Sequence, residues 1–493
     1  MGLLSTLGVL LVSIFVTHLL GAGPADATTC YYVDGTAGDD TQAGTSPDRA
    51  WKSLQRVNRE PFKPGDRIYL KAGSRWTGQL QPRGSGTILD RKPVPIVIEP
   101  YGTGPRPRID GAGKHLDAIL LRNVEFWEIR GLEVTNHGEE RRPWQTGVRI
   151  VADNFGPLRH IQLKDLYVHD VNGDLRKSHE GCGIYFESRG QGCFDGLVIE
   201  GCRVANVDRN GICQRAVGGP RSRNVVIRGN LLEDIGGDGI KPWGSDGVLV
   251  EKNVLRGGCV RCTDYAAGMW PWECDGAVFQ FNEVSGMKGT RDGQAFDCDA
   301  LCRNTVFQYN YSHDNEGGFL LVCATPEYYC EGSVIRYNIS QNDGVNTARV
   351  FHLGGPVRNT HIYNNTVYIG PQQNLPLFLC TDDDGWPEDT FIRNNIFYVE
   401  GRVRYEWGES RNHVFECNAF YGRHDGRPDD PKAVTSRPPL AGPGTGGETM
   451  ETLGGYRLAP RAPDLLGILI PGNGGRDFFG TPRPLDRPPT LGA

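Results

Sequence analysis

The chain has 493 residues, with 53 Lys and Arg against 59 Asp and Glu, a net charge of −6. It carries no Lys/Arg block interleaved with aromatics, so neither nucleic acid nor an anionic membrane is the expected partner. Its 67 glycines suit a turn-rich all-β chain rather than a helical one.

Residues 1–27 read as a secretory signal. Val9 to Val16 is apolar apart from Ser13, Leu19-Leu20 extends the run, and Ala25-Asp26-Ala27 supplies a small-x-small cleavage pattern. The expected location is therefore extracellular, with no membrane attachment after cleavage, because the run is short for a retained span. All 14 cysteines follow Ala27, an even count that predicts mostly disulfides in an exported chain. Cys259-Val260-Arg261-Cys262 has a spacing that zinc accepts, but no second ligand pair accompanies it, and a local disulfide staple is expected instead.

Residues 28–117 read as an N-terminal cap and the first coils. Tyr31-Tyr32-Val33 predicts a strand, and Ala50 to Val57 a helix with Trp51, Leu54 and Val57 on one side. Arg67-Ile68-Tyr69-Leu70-Lys71 alternates as a strand.

From about Ala118 to residue 425 the chain is periodic. Small-plus-apolar pairs recur at Gly147-Val148, Gly183-Ile184, Gly211-Ile212, Gly239-Ile240, Gly268-Met269, Ala295-Phe296 and Gly318-Phe319. A second register, an apolar strand ending in Asn, recurs at Asn230, Asn253, Asn282, Asn310, Asn338, Asn365 and Asn395. Two registers in each repeat mean one coil per repeat, and neighbouring coils must stack to bury their apolar residues. The Asn predicts a hydrogen-bonded ladder between coils. Sequons at Asn310, Asn338 and Asn364 fall on that ladder and are read as coincidence. Residues 426–493, rich in Pro and Gly, predict an irregular tail rather than a second domain, with the apolar patch Leu465 to Ile470 lying against the final coils.

This pattern resembles the right-handed parallel β-helix superfamily, the pectate-lyase-like and polygalacturonase-like enzymes acting on polysaccharides. The likeness covers most of residues 28–400 and rests on the repeat. The polygalacturonase set of Asn-Thr-Asp, Asp-Asp, Gly-His-Gly and Arg-Ile-Lys is missing, as is the Asp-Pro-His of the uronan epimerases. The resemblance implies an all-β, single-stranded right-handed parallel β-helix with an N-terminal helical cap, binding an extended polymer along one strand stack.

Side chains two apart on a strand share a face. The first register then presents Tyr185/Glu187, Cys213/Arg215, Lys241/Trp243, Trp270/Trp272, Asp297/Asp299 and Leu320/Val322 outward. Turns entering these strands add Asp238, Asp292, His313, Asp314 and Glu316. Trp243, Trp270 and Trp272 are expected to stack on sugar rings, with Arg215, Glu187, His313 and Glu316 as further substrate contacts. Asp297 and Asp299 are the expected acid pair, about 6.6–7 Å apart at Cα, a spacing that suits inversion better than retention. Asp275 and Asp314 are alternative partner acids.

The leading expectation is a secreted, monomeric glycoside hydrolase that acts on a polysaccharide and needs no cofactor. A second reading is a calcium-dependent lyase or epimerase, with Lys241 as base and the carboxylates holding Ca²⁺. A third is a non-catalytic carbohydrate-binding surface protein.

Overall fold

The computed structural model describes residues 28–493 except 180, 290, 347, 460–464 and 484–485, so the signal segment 1–27 lies outside the described residues. The architecture is a stack of coils with three parallel walls. One coil shows the plan: Val278–Gln280 on the first wall, Glu283–Ser285 on the second, Gln294–Cys298 on the third, then Val306–Gln308 back on the first. Each strand pairs in parallel with its counterpart in the next coil, as Val278 does with Val306 and Glu283 with Tyr311. Among the described residues the two-stranded ribbon Thr87–Leu89 with Lys92–Val94 departs from this, pairing antiparallel.

The periodicity predicts two strand registers, and the structure has three. The second wall escapes the pattern because its strands are short and follow the Asn at once. Val254–Arg256, for example, offers a single inward side chain, Leu255. Apolar inward residues from all three walls form one continuous core along the axis.

The Asn ladder forms. The backbone N–H of Asn230 donates to Asn253 Oδ1 at 3.0 Å. The pattern repeats from Asn253 to Asn282, Asn310, Asn338, Asn365, Asn395 and Asn418. Each side-chain NH₂ also reaches a carbonyl of the preceding coil, as from Asn253 to Ile227. Asn310, Asn338 and Asn364 are fully buried, so none of the three sequons is open to a glycan. The recurring glycines answer to close approach. A Cβ on Gly239 would meet the Gly268 carbonyl at 2.4 Å, and one on Gly268 would meet the Ala295 carbonyl at 2.4 Å.

Two expectations change, and a third is extended. The helix α1 spans Leu54–Arg59 rather than beginning at Ala50. Asp40 Oδ1 accepts the backbone N–H groups of Lys52 and Ser53 and holds them extended, while Trp51 bridges to Val33. Helix therefore starts only after Ser53, whose hydroxyl caps the Arg56 N–H. The cysteines are mostly not paired: Cys259 and Cys262 are bonded, and twelve others are thiols that largely fill buried positions. The tail has no named strand among its described residues, and it packs, as the Leu465 to Ile470 patch predicts, but over a wider area. Leu453, Tyr456, Leu465 and Leu491 join Tyr311, Ile339, Tyr368 and Tyr398 in a second apolar cluster over the second wall.

Candidate active site

The site lies on the third wall, where four strands fix the register: β1 (Asn210–Val217), β2 (Ile240–Lys241), β3 (Gln294–Cys298) and β4 (Gly318–Cys323). Ile212, Ile240, Met269, Phe296 and Leu320 stack inward. Period-two alternation then turns Lys241, Trp270, Asp297 and Leu321 to the outer face in one column. Trp243, Trp272, Asp299 and Cys323 form the next column, with Trp243 bridging to Trp272. The expected outward pair Leu320/Val322 is corrected to Leu321 and Cys323. Gly318 pairs with Gln294, not with Ala295, and the one-residue slip exchanges the faces.

Trp144, Lys177, Ser178, Arg215, Lys241, Trp243, Trp270 and Trp272 line a cavity of about 410 Å³. Its walls are held by indole N–H bonds: Trp270 Nε1 donates to Asp238 Oδ1 at 3.0 Å, and Trp243 Nε1 to Glu273 Oε2 at 3.1 Å. The Lys241 ammonium sits over the Trp243 and Trp270 rings, 5.7 and 5.4 Å from their centroids. Trp272 packs against Trp243 at 5.7 Å and Trp270 at 6.4 Å. The Arg215 guanidinium lies 5.0 Å from the Trp144 ring.

Beside this cavity sits a knot of acids. An Asp297 oxygen, an Asp299 oxygen and Cys323 Sγ lie within 4.8 Å of one another. The Cys323 thiol donates to Asp299 at 3.3 Å, and the Ala300 N–H to the same carboxylate at 2.7 Å. Burial and the neighbouring Asp299 and Asp292 push the Asp297 carboxyl well above its usual range. Burial raises Asp299 too, against the Ala300 N–H and Lys177. Burial carries Asp292 up to about 6, with Asp238 and Asp299 adding and Lys177 and Arg349 opposing. Crowded, poorly hydrated carboxyls cannot all ionise at neutral pH, so this group holds proton donor and acceptor together. Accessibility divides them. Asp297 is only 3% exposed, whereas Asp292 and Asp299 keep an open edge.

The structure brings together Lys241, Arg215, Trp243, Trp270, Trp272, Asp297 and Asp299, and takes the other candidates elsewhere. Asp275 pairs with Arg221 at 3.1 Å in a bridge to Arg303, on the first-wall side. His313 stacks on Tyr311 and bonds Asp314 at 2.9 Å, on the second wall. Glu316 pairs with Lys288 at 3.1 Å and accepts the Gly289 N–H. Glu187 is buried against Arg189, at 2.9 Å. For His313 and Asp314 the shift follows from the missed second wall, which moves residues 311–313 to a different side of the coil; Glu187 keeps its place on the third wall in register with Arg215 but is taken up by Arg189. Nor does the spacing of Asp297 and Asp299 suit inversion. Oxygens within 4.8 Å fall short of the roughly 6.5–9.5 Å that an inverting pair needs. A thiol among two carboxylates is also a poor match for Ca²⁺, which takes about six to eight oxygens. Lys177, Trp144 and Cys323 were not singled out from sequence. Asp292 and Asp238 were visible only as turn residues.

No protein-family model matches the chain. A lacto-N-biosidase of Bifidobacterium longum subsp. longum is 30% identical over 445 residues. The match covers 69% of this chain but only 27% of that protein, so the chain spans about a quarter of its curated relative's length. The crystal structure of a GH136 lacto-N-biosidase from Eubacterium ramulus superposes with a TM-score of 0.61 at 27% identity, covering 79% of this chain and 67% of that one. XylC in complex with xylose superposes with a TM-score of 0.56 at 11% identity, over 94% of this chain and 98% of that one, a likeness of fold alone. By fold, the chain is a member of the right-handed parallel β-helix superfamily.

Proposed function

We propose that the protein is a glycoside hydrolase whose working carboxyl pair is Asp292 and Asp299, with the tryptophan-lined cavity as its sugar subsite. The observation that carries this is the group of three crowded carboxyls with raised proton affinity, Asp297 among them on a strand one rung from Trp270 and Trp272. In the reaction, one protonated carboxyl delivers its proton to the glycosidic oxygen as the C–O bond breaks. The other, ionised, faces the anomeric carbon, and water completes the cleavage. Asp299 and Asp292 are assigned because they reach solvent. Asp297, behind them, stays protonated and passive.

The likeness to lacto-N-biosidases makes an oligosaccharide ending in a lacto-N-bioside unit the first substrate to test. Export through residues 1–27 belongs to the same reading, as does action on a substrate outside the cell. The reaction calls on no cofactor. The test is release of reducing ends from a panel of neutral and acidic oligosaccharides. Asp292→Asn and Asp299→Asn should each lower kcat by about 10³-fold. Full activity in both variants would remove the assignment.

A further inference from the structure

Arg209 lies immediately before β1 and its side chain has no solvent exposure. It is the hub of two carboxylate contacts. Its Nη2 lies 3.8 Å from Asp238 Oδ2, which is also fully buried, and 3.2 Å from Asp264 Oδ1. Asp238 spends its other oxygen on Trp270 Nε1 at 3.0 Å and the Ala267 N–H at 3.1 Å. Asp264 uses its other oxygen to accept the backbone N–H of Lys177 at 2.8 Å. The two branches then meet again, because the Lys177 ammonium stands 5.2 Å from the centre of the Trp270 ring.

We infer that Arg209 is a positioning residue: through Asp238 and Asp264 it fixes Trp270 and Lys177 against each other as the wall of the cleft beside the carboxyls. Burying a guanidinium is costly, and an apolar residue of similar volume would fill the same space at least as well. Its Nη2 donates to the Tyr265 carbonyl at 3.2 Å, while Nε and Nη1 have no hydrogen-bond partner among the described residues, so one bond to a carbonyl does not account for a buried guanidinium and its hold on the two carboxylates is by charge. What its charge does is hold two carboxylates whose free oxygens each orient one component of the site. The ring and the ammonium come from segments about 90 residues apart in sequence, and no backbone pairing joins them.

The consequence is electrostatic as well as steric. Asp292 faces Lys177, Asp238, Arg349 and Asp299, and Lys177 is among the charges that lower the proton affinity of Asp292, Asp297 and Asp299. Releasing Lys177 raises all three.

The inference goes beyond the hydrolase reading while its kinetic readout rests on that reading, so the experiment has two arms. In the full chain, Arg209→Met, Arg209→Lys and Asp264→Asn are compared with wild type. Asp264 is 34% exposed in its side chain, so its variant keeps the test open if Arg209→Met fails to fold. The first arm needs no substrate: the rate at which an amine-acetylating reagent labels Lys177, read by mass spectrometry. A rise of about 5-fold or more is expected in Arg209→Met and Asp264→Asn, with partial recovery in Arg209→Lys. The second arm is the pH profile. The limb near pH 6 should move up by about half a unit to one unit, and kcat/KM should fall about 10- to 100-fold, the size expected for a misplaced wall. Unchanged Lys177 labelling in well-folded variants would overturn the inference. Changed labelling with no turnover of any sugar, wild type included, would support the positioning role and sink the hydrolase reading instead.

Discussion

Asp297 and Asp299 are two residues apart in the chain, yet their surroundings differ. Asp297 has neutral-form surroundings and almost no contact with solvent, so an amide of the same shape should serve in its place. Asp297→Asn is expected to keep kcat within about 10-fold of wild type, against about 10³-fold losses at Asp299 and Asp292. Steady-state rates on one cleaved sugar decide this. Lys177 sets the pH response. With Asp292 at about 6, kcat/KM should show a limb near pH 6. Lys177→Met removes the cation that favours the ionised carboxyl, so the limb should move to higher pH; a downward shift would reverse the assigned sign. At this scale the sequence was legible in part. The Trp and Asp columns follow from simple alternation. Lys177 and Trp144 come from loops whose positions no periodicity encodes, and the raised proton affinity of Asp292 comes from desolvation and from its packing among Asp238 and Asp299, which the string of residues does not display.

At the scale of the element, the Asn ladder and the buried acids of the turns carry the predictions. Asn310→Ala would orphan the Asn282 backbone N–H and remove the bond to the Phe279 carbonyl. The expected cost is about 2–3 kcal/mol, read from denaturant midpoints. Asp343 accepts bonds from the Ser312 and Ser340 hydroxyls at 2.6 Å and from the Asn315 side chain at 2.8 Å, yet burial still lifts it to about 6. An acid with raised affinity in the folded chain stabilises fully below its unfolded value near 4, and that contribution is lost as pH rises through about 6. Relative to Asp343→Asn, wild type should therefore lose on the order of 2–3 kcal/mol of stability between about pH 4 and 6, with the difference constant above that range. A wild-type-minus-variant difference that stays flat across that interval would contradict the placement. The ladder was readable because its Asn recurs at a fixed place in each coil. The second wall was not, since strands of three residues with one inward side chain give too little alternation to register.

The whole molecule is a stack with a strap. Coils were predictable because each must bury what its neighbour exposes. The tail was readable only at its apolar patch Leu465 to Ile470, because the rest of its docking depends on scattered residues such as Leu453 and Tyr456 meeting Tyr311 and Tyr368. Removal of residues 427–493 should expose that cluster, lower Tm and bring binding of a hydrophobic dye. Retained Tm without dye binding would show the strap to be dispensable. The central claim, a sugar-cleaving site built from Asp292 and Asp299 on the third wall, is tested most directly by product analysis on the oligosaccharide panel with wild type, Asp292→Asn and Asp299→Asn side by side. The account predicts new reducing ends with no ultraviolet-absorbing unsaturated product, and a loss of about 10³-fold in each variant. An unsaturated product, or cleavage undiminished in both variants, would contradict it.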